Sequence, residues 1–552
     1  MQRRIEMKQM EALFIVPMNV PDFKGGDGSV PDAIEPPKEA RFMLSYLDRR
    51  NVPVDLLDAN LRNDPPEEVA DYVLKTKPRL VVMSIRGFNP TSSTQTMLSG
   101  HELAEAIKAV SPMTPIMMTG LHPAAIPETT LFTEPAVDYV CDGEGPITAH
   151  ELVQALASGG SLSDVRKVRS LWHRENGEIA HNAPAPLLEL NDELAIAGWK
   201  YMDPRNYVCH HWHAFYQGLD QRMPYANPFA REGCPHQCHF CPIQAPYRPG
   251  EAVEVQLGVR KPGVNSFRSL TPENFVSEIV FLFETYGVLN FKFPDEMFGS
   301  DSYPMKVATL LKQRLGSVCD KLNIWCYFRI DSVRTKDLDL LRSAGFRWLA
   351  LGIEAADSKV RSDQDKMFGD DHIYKIVRMT NQAGIKTALN YIFGLSKFRE
   401  DGTLESWDTM ETMQATFDLA CALNGESGGL YGNFYCDQAY PGSPQYALAK
   451  RMGYPLPERK GGPGWIGHAQ YSFESEPFYP GDALTPAQIL AFRDEKQREY
   501  YQRPEWRRTA LADPDCGQKA VESVDEWMRM IAPENLKRRL LEETTMGTAT
   551  TK

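Results

Sequence analysis

The sequence predicts an α/β protein. A flavodoxin-like (Rossmann-type) N-terminal domain is followed by a partial (βα)6 TIM-like barrel and a mostly helical C-terminal extension. Three observations predict it. Short apolar runs alternate with helical patterns over about the first 150 residues. The alternation resumes near residue 225 with six candidate strands, and beyond about residue 450 the chain turns polar and aromatic and ends in a helical segment. Strands separated by helices of about ten residues imply βα units with right-handed crossovers and parallel sheets.

In the first half, residues 12–18, 54–58, 79–85, 116–119 and 137–141 read as strands, and 38–50, 67–74, 101–110 and 146–157 as helices. Residues 171–178, with an Asn-Gly pair, resemble a small hairpin, and the Pro-rich 183–188 a linker. In the second half, residues 228–231, 289–293, 323–327, 348–353, 387–393 and 432–436 read as strands, with helices such as 272–286, 336–343 and 373–383 between them. The expected division is 1–158, 159–224 as a bridging segment, 225–450 and 451–552, with a frayed tail from 542.

Length and composition set bounds. A chain of 552 residues has a prior of roughly three to four domains. Hydrophobic residues at 42% and charged residues at 24% describe an ordinary globular protein, neither disordered nor fibrous. No apolar run approaches the ~18 residues of a membrane span. The basic start Met-Gln-Arg-Arg lacks the apolar core of a signal peptide, so a cytoplasmic protein with no membrane partner is expected. Sixty basic against 73 acidic residues give a net charge of −13, which argues against a broad nucleic-acid face and leaves room for a small-molecule substrate. Ten cysteines are too few for a disulfide scaffold, and clustered thiols point to metal.

Ligands of parallel sheets sit at the carboxyl ends of the strands. Three such ends here carry Gly and hydroxyl residues: Arg86-Gly-Phe-Asn89-Pro-Thr-Ser92-Ser-Thr-Gln, Gly120-Leu-His122-Pro, and Asp142-Gly143-Glu144-Gly145-Pro. Together they suit close approach of backbone to a large polar ligand.

The strongest signal is Gly233-Cys234-Pro-His236-Gln-Cys238-His239-Phe240-Cys241, three cysteines spaced C-x₃-C-x₂-C just after the first barrel strand. Three thiolates on one loop can hold three irons of a cubane cluster and leave the fourth open. Structural zinc needs a fourth ligand, which His236 or His239 offers, although no second ligand pair follows at the usual spacing.

This loop resembles the radical S-adenosylmethionine (SAM) superfamily, in which the three cysteines hold a [4Fe-4S] cluster whose open iron chelates SAM. The resemblance runs through the barrel. Phe240 stands at the aromatic position beside the adenine, and Asp295-Glu296-Met-Phe where the family binds the SAM amino group. Arg329-Ile-Asp matches the polar pair after the third strand, and Gly352-Ile-Glu354-Ala-Ala356 resembles Gly-Ile-Glu-Ser-Gly, with alanine replacing the last glycine. The N-terminal half resembles the cobalamin-binding domain fused to many such enzymes, although the Asp-x-His-x-x-Gly motif that donates a cobalt ligand is absent. By this resemblance Arg86, Asn89, Ser92, Gly120, His122, Gly143, Glu144 and Gly145 contact cobalamin. Cys234, Cys238 and Cys241 bind the cluster, and Phe240, Asp295, Glu296, Arg329 and Glu354 bind SAM.

The resemblance implies a cobalamin-dependent radical SAM methyltransferase. A methyl group passes from methylcobalamin, regenerated by SAM, to an unactivated carbon or a phosphinate phosphorus of a natural-product intermediate. Residues 89–95 and His211-Trp212-His213 resemble the methyltransferases of fosfomycin and phosphinothricin biosynthesis. His211, Trp212, His213 and Tyr435 are the substrate candidates, and Arg248 and Arg268 those for an anionic group. A flavodoxin or ferredoxin is the implied electron donor. The alternatives are a rearrangement or cyclisation without methylation, and a metal-binding protein without turnover.

Overall fold

A computed structural model of the chain describes residues 10–18, 33–86, 93–210, 213, 222–236, 238–243, 245–247, 266–399, 401–454, 456, 477–515 and 517–530. The expected tail, Asn89, Ser92, His211, Trp212 and Arg248 lie outside these residues.

The first sheet contains β1 (Ala12–Val16), β2 (Val54–Asp58), β3 (Leu80–Ser84), β4 (Ile116–Thr119), β5 (Tyr139–Cys141), β6 (Leu171–Glu175) and β7 (Glu178–His181), in the order β2-β1-β3-β4-β5-β6-β7. Its first five strands are parallel, and their 2-1-3-4-5 order is the flavodoxin-like one. Every residue of β1, β3 and β4 is buried, as a parallel sheet covered on both faces requires. The Asn176-Gly177 turn takes φ of 52° and 88°, so it makes the tight hairpin expected. That hairpin does not stand apart. It extends the sheet antiparallel to β5, and the Trp172 indole donates to Asp142 Oδ2 at 2.8 Å.

The helix Lys38–Asp48 is buried on nearly all sides, because it is sandwiched rather than laid on a surface. On it, the Arg41 guanidinium lies 4.0 Å over Trp199 and donates to Asn227 Oδ1 and O, both at 2.9 Å. A Cβ at Gly198 would strike the Arg41 backbone, so the two segments meet only through glycine.

The second half comprises β8 (Tyr225–Ala226), β9 (Arg231–Glu232), β10 (Arg268–Ser269), β11 (Asn290–Lys292), β12 (Asn323–Arg329), β13 (Phe346–Glu354), β14 (Lys386–Phe393), β15 (Ser396–Phe398), β16 (Leu404–Trp407) and β17 (Tyr431–Cys436). Six of them form an all-parallel sheet, β17-β14-β13-β12-β11-β8. This is the partial six-stranded barrel expected. The first barrel strand is Tyr225–Ala226, not 228–231. Pro228 has no N–H for a ladder, and the amides of Ala230 and Arg231 donate instead to Asp295 Oδ1. On otherwise buried strands the partly open positions are Lys292, Tyr327, Gly352, Asn390, Ile392, Tyr431 and Tyr435, which alternate along the strands and share the inner face.

β17 is an edge, and the C-terminal helices cover it. Gln497 accepts from Phe434 N at 3.2 Å and donates to Gly432 O at 3.4 Å. Tyr501 donates to Gly432 O at 2.8 Å, and Trp506 Nε1 to Leu430 O at 2.8 Å. Among the described residues, no helix is long and apolar enough to cross a membrane.

Candidate functional site

The carboxyl ends of the two sheets face each other. Leu121, Ala125 and Ile126, which follow β4, pack with Ile243 and Ala245 beyond the cysteine loop and with Ala439 and Tyr446 beyond β17. Gly442 sits where a Cβ would lie 2.8 Å from Ala245 and 3.1 Å from Ala125, so the approach is close.

Between these ends lies the cysteine loop. Gly233 opens it at φ +75°, with space for no side chain beside Ser266 O. Cys234, Cys238 and Cys241 are in no disulfide and are partly exposed, and Cys241 N donates to Cys238 O at 3.1 Å. Burial pushes the Cys234 thiol up to about 12 and raises Cys238 and Cys241. Such thiols ionise when a metal takes them. The two histidines of the loop turn elsewhere. His236 faces Asp365 at 3.7 Å, and His239 Nε2 accepts from Phe398 N at 3.4 Å. Among the described residues, no three His, Cys, Asp or Glu side chains gather around a single ion. Three soft donors on one loop are the donor set of a cluster with one open iron, and the two histidines a closed zinc site would draw on face other partners.

Around the loop, Phe240 packs on Ala355, Val360, Ile392 and Leu395. Asp295 is fully buried. Its Oδ1 holds the Ala230 and Arg231 amides and so fixes the chain entering the loop, while Oδ2 has no hydrogen-bond partner. Glu296 Oε1 lies 3.4 Å from Arg86 Nη2 and 4.0 Å from Lys38 Nζ, and its Oε2 has no partner. Arg329 grips Asp331 through Nε and Nη2, each at 3.0 Å, and donates to Asp365 O at 2.7 Å. Glu354, at φ +67°, takes Lys366 Nζ, and its carboxylate folds over Gly352, where a Cβ would collide with it. The left-handed residue is therefore Glu354, and Ala356 fits where the family has glycine.

At the first sheet, Gly120 takes φ +134° and its hydrogen faces Ile85 O, where a Cβ has no space. His122 is buried, its Nδ1 3.1 Å from Thr94 Oγ1, and burial lowers its pKa to about 3, so it is neutral. Gly145, at φ +100°, opens the helix Pro146–Ala157 with Met43 Sδ 2.6 Å from where its Cβ would be, and Gly143 lies beside Ser170.

Three expectations need correction. Arg268, read as an anion ligand, pairs with Glu144 and donates to Leu188 O at 2.5 Å. Glu144, read as a corrin contact, is spent on Arg268 and on Leu188 N at 2.9 Å, which ties β10 to the first sheet. His213, read as a substrate group, sits at the opposite end of the barrel. It faces Asn323 O at 2.8 Å where β12 begins, and its ring meets Trp325. Burial lowers its pKa to about 3, as befits a plug. Tyr435 does face the barrel interior, with Asn433 Nδ2 donating to its hydroxyl.

Sequence reasoning missed Lys38, Glu232 and Lys366, charged residues without motif context, and the inner-face chain Glu35–Lys292–Tyr327, with Lys292 Nζ 2.6 Å from Glu35 Oε1.

These features define a class. Residues 29–153 match the family model of the B12 binding domain, and the barrel beyond them has the fold of cobalamin-dependent SAM radical enzymes. Among particular proteins, the chain is 23% identical over 448 residues to an uncharacterized methyltransferase of Pyrococcus horikoshii, covering 81% of this chain and 85% of that protein. It is 26% identical over 246 residues to the anaerobic magnesium-protoporphyrin IX monomethyl ester cyclase of a Synechocystis species, 44% of this chain and 42% of that one. Similar solved structures include the radical SAM methyltransferase TsrM of Kitasatospora setae with cobalamin and a [4Fe-4S] cluster bound (TM-score 0.58, 16% identity, 80% of this chain and 77% of that one). The cobalamin-dependent SAM radical enzyme OxsB with aqua-cobalamin and SAM bound is also similar (TM-score 0.61, 13% identity, 98% and 80%).

Proposed function

We propose that the chain is a cobalamin-dependent radical SAM methyltransferase that methylates an unactivated carbon or a phosphinate phosphorus of a small natural-product intermediate. The observation that carries this reading is the facing of two sets of strand carboxyl ends, one in a B12 binding domain, the other bearing three thiols on one loop. When bound, the cofactors supply radical formation and a transferable methyl group. The chain supplies positions. Cys234, Cys238 and Cys241 hold the cluster, Phe240 flanks the nucleoside, and Glu296, Arg329 and Glu354 bind or brace SAM. Asp295 fixes the entry to the loop. The turns at Gly120, Gly143 and Gly145 let backbone approach the corrin, and Tyr435 faces substrate. A flavodoxin or ferredoxin provides electrons, and partly exposed thiols in no disulfide suit a reducing cytoplasm. The division that goes with this reading is 1–158, 159–224, 225–450 and 451–552.

The likeness to the Synechocystis cyclase supports a second reading, ring closure without methyl transfer. One experiment separates them. Anaerobic protein is reconstituted with iron, sulfide and hydroxocobalamin, then given SAM labelled in its methyl group, a low-potential reductant and candidate substrates. Label in product supports methyl transfer, and turnover without label supports cyclisation. A colourless protein in which the Cys234→Ala/Cys238→Ala/Cys241→Ala variant changes neither iron nor sulfide content refutes both.

A further inference from the structure

The inner face of the barrel carries a lysine below the strand ends. Lys292 on β11 and Tyr327 on β12 are partly open there, a few residues before Glu296 and Arg329. Lys292 Nζ donates to Glu35 Oε1 at 2.6 Å, and Glu35 comes from the B12 binding domain, just before the helix Lys38–Asp48. The buried Tyr225 hydroxyl bonds to the same carboxylate, so two donors cover the negative charge of Glu35. Lys292 also bonds to the Tyr327 hydroxyl. An ammonium only donates, so that oxygen accepts and its proton is left to donate into the barrel. Beside them, the Trp325 ring stacks on Trp348 at 4.9 Å, and both Nε1 groups are buried without a hydrogen-bond partner. At the end of β13 the Glu354 carboxylate is spent on Lys366. Among these groups, open donors outnumber open acceptors, which is the polarity that receives an oxyanion.

We propose that Lys292 and Tyr327 bind an oxyanion of the substrate, a carboxylate or a phosphinate, at the end that enters the barrel first, so that the atom to be changed stays at the strand ends. This names the substrate class for the functional reading above and rests on it. Lys292 determines specificity, and Glu35 tunes it. The carboxylate holds the ammonium in place across the two units and tempers its pull on the substrate. Loss of Lys292 leaves Glu35 largely buried and without that cation, which repels an anion. Loss of the Glu35 charge leaves the ammonium uncompensated, which attracts an anion more strongly. A pair that only held the two units together would not move anion binding in opposite directions.

The test uses full-length protein reconstituted with cluster and hydroxocobalamin, with SAM present. Ethylphosphinate, propionate and propylammonium are titrated by saturation-transfer NMR. The wild-type protein should hold an oxyanion at least about tenfold more tightly than propylammonium, and the better of the two oxyanions tells which group the substrate carries. Lys292→Met should weaken that oxyanion more than about tenfold, and Tyr327→Phe about threefold. SAM affinity, iron, sulfide and corrin absorbance should stay unchanged in both. Glu35→Gln should tighten the oxyanion about threefold. If Lys292→Met does not fold, Glu35→Gln still decides, because its effect has the opposite sign to that of a damaged fold. No preference for an oxyanion in the wild-type protein, or an oxyanion affinity that Glu35→Gln lowers or leaves unchanged, overturns the inference alone. A wild-type protein that holds neither cluster nor corrin overturns the functional reading and this inference with it.

Discussion

Gly120 shows how one residue carries a strand-end turn. Its φ of +134° and the Ile85 carbonyl facing it leave no space for a Cβ. Gly120→Ala should therefore cost about 2–3 kcal/mol, read as a lower urea midpoint and as hydroxocobalamin lost on desalting. Asp437 makes a pH-dependent case. It is buried at the end of β17, and desolvation raises its pKa from 3.8 to about 7. A carboxyl raised on folding binds its proton more tightly in the native state. Its contribution is full below about pH 4 and is lost as pH rises to about 7. Asp437→Asn, which keeps an acceptor for Gln445 Nε2, should flatten that part of the stability-against-pH curve, as denaturant melts from pH 4 to 8 would show. At this scale the three cysteines were legible, because their spacing is local and chemically specific. The partners of Asp295, Glu144 and Arg268 were not. Each spends its charge on backbone or on a partner from a distant segment, and no pattern in the sequence announces that partner.

Among elements, the open edge of the barrel is the most exposed weakness. β17 has β14 on one side only, and Gln497 stands in for the missing neighbour by bonding Phe434 N and Gly432 O. Gln497→Ala should cost about 1–3 kcal/mol and speed hydrogen exchange at the Phe434 amide, with β12 amides unaffected. Most strands were readable from their apolar runs, since strands buried on both faces must be apolar throughout. The first barrel strand was misplaced by a few residues. Apolar character continues past Ala226, and only Pro228 and the pull of Asp295 on the next amides end the ladder. The hairpin at 171–181 was readable as a hairpin, through Asn176-Gly177, but not as part of the first sheet, because its pairing to β5 is a long-range contact.

For the whole molecule, the joint between the two units decides whether there is one site or two. Arg41 is fully buried there, bound to Asn227 and laid over Trp199. Arg41→Ala should cost about 3–5 kcal/mol and open the chain between residues 183 and 190 to limited proteolysis, while an unchanged cleavage pattern would place the joint elsewhere. By itself the sequence determined two runs of parallel βα units and a loop of three thiols, because periodicity and spacing are written locally along the chain. Which charges meet across the joint, that Glu296 is buried beside Lys38, and that His213 plugs the far end of the barrel were decided only by tertiary packing, since each depends on segments tens to hundreds of residues apart being brought within hydrogen-bond reach and sealed from water.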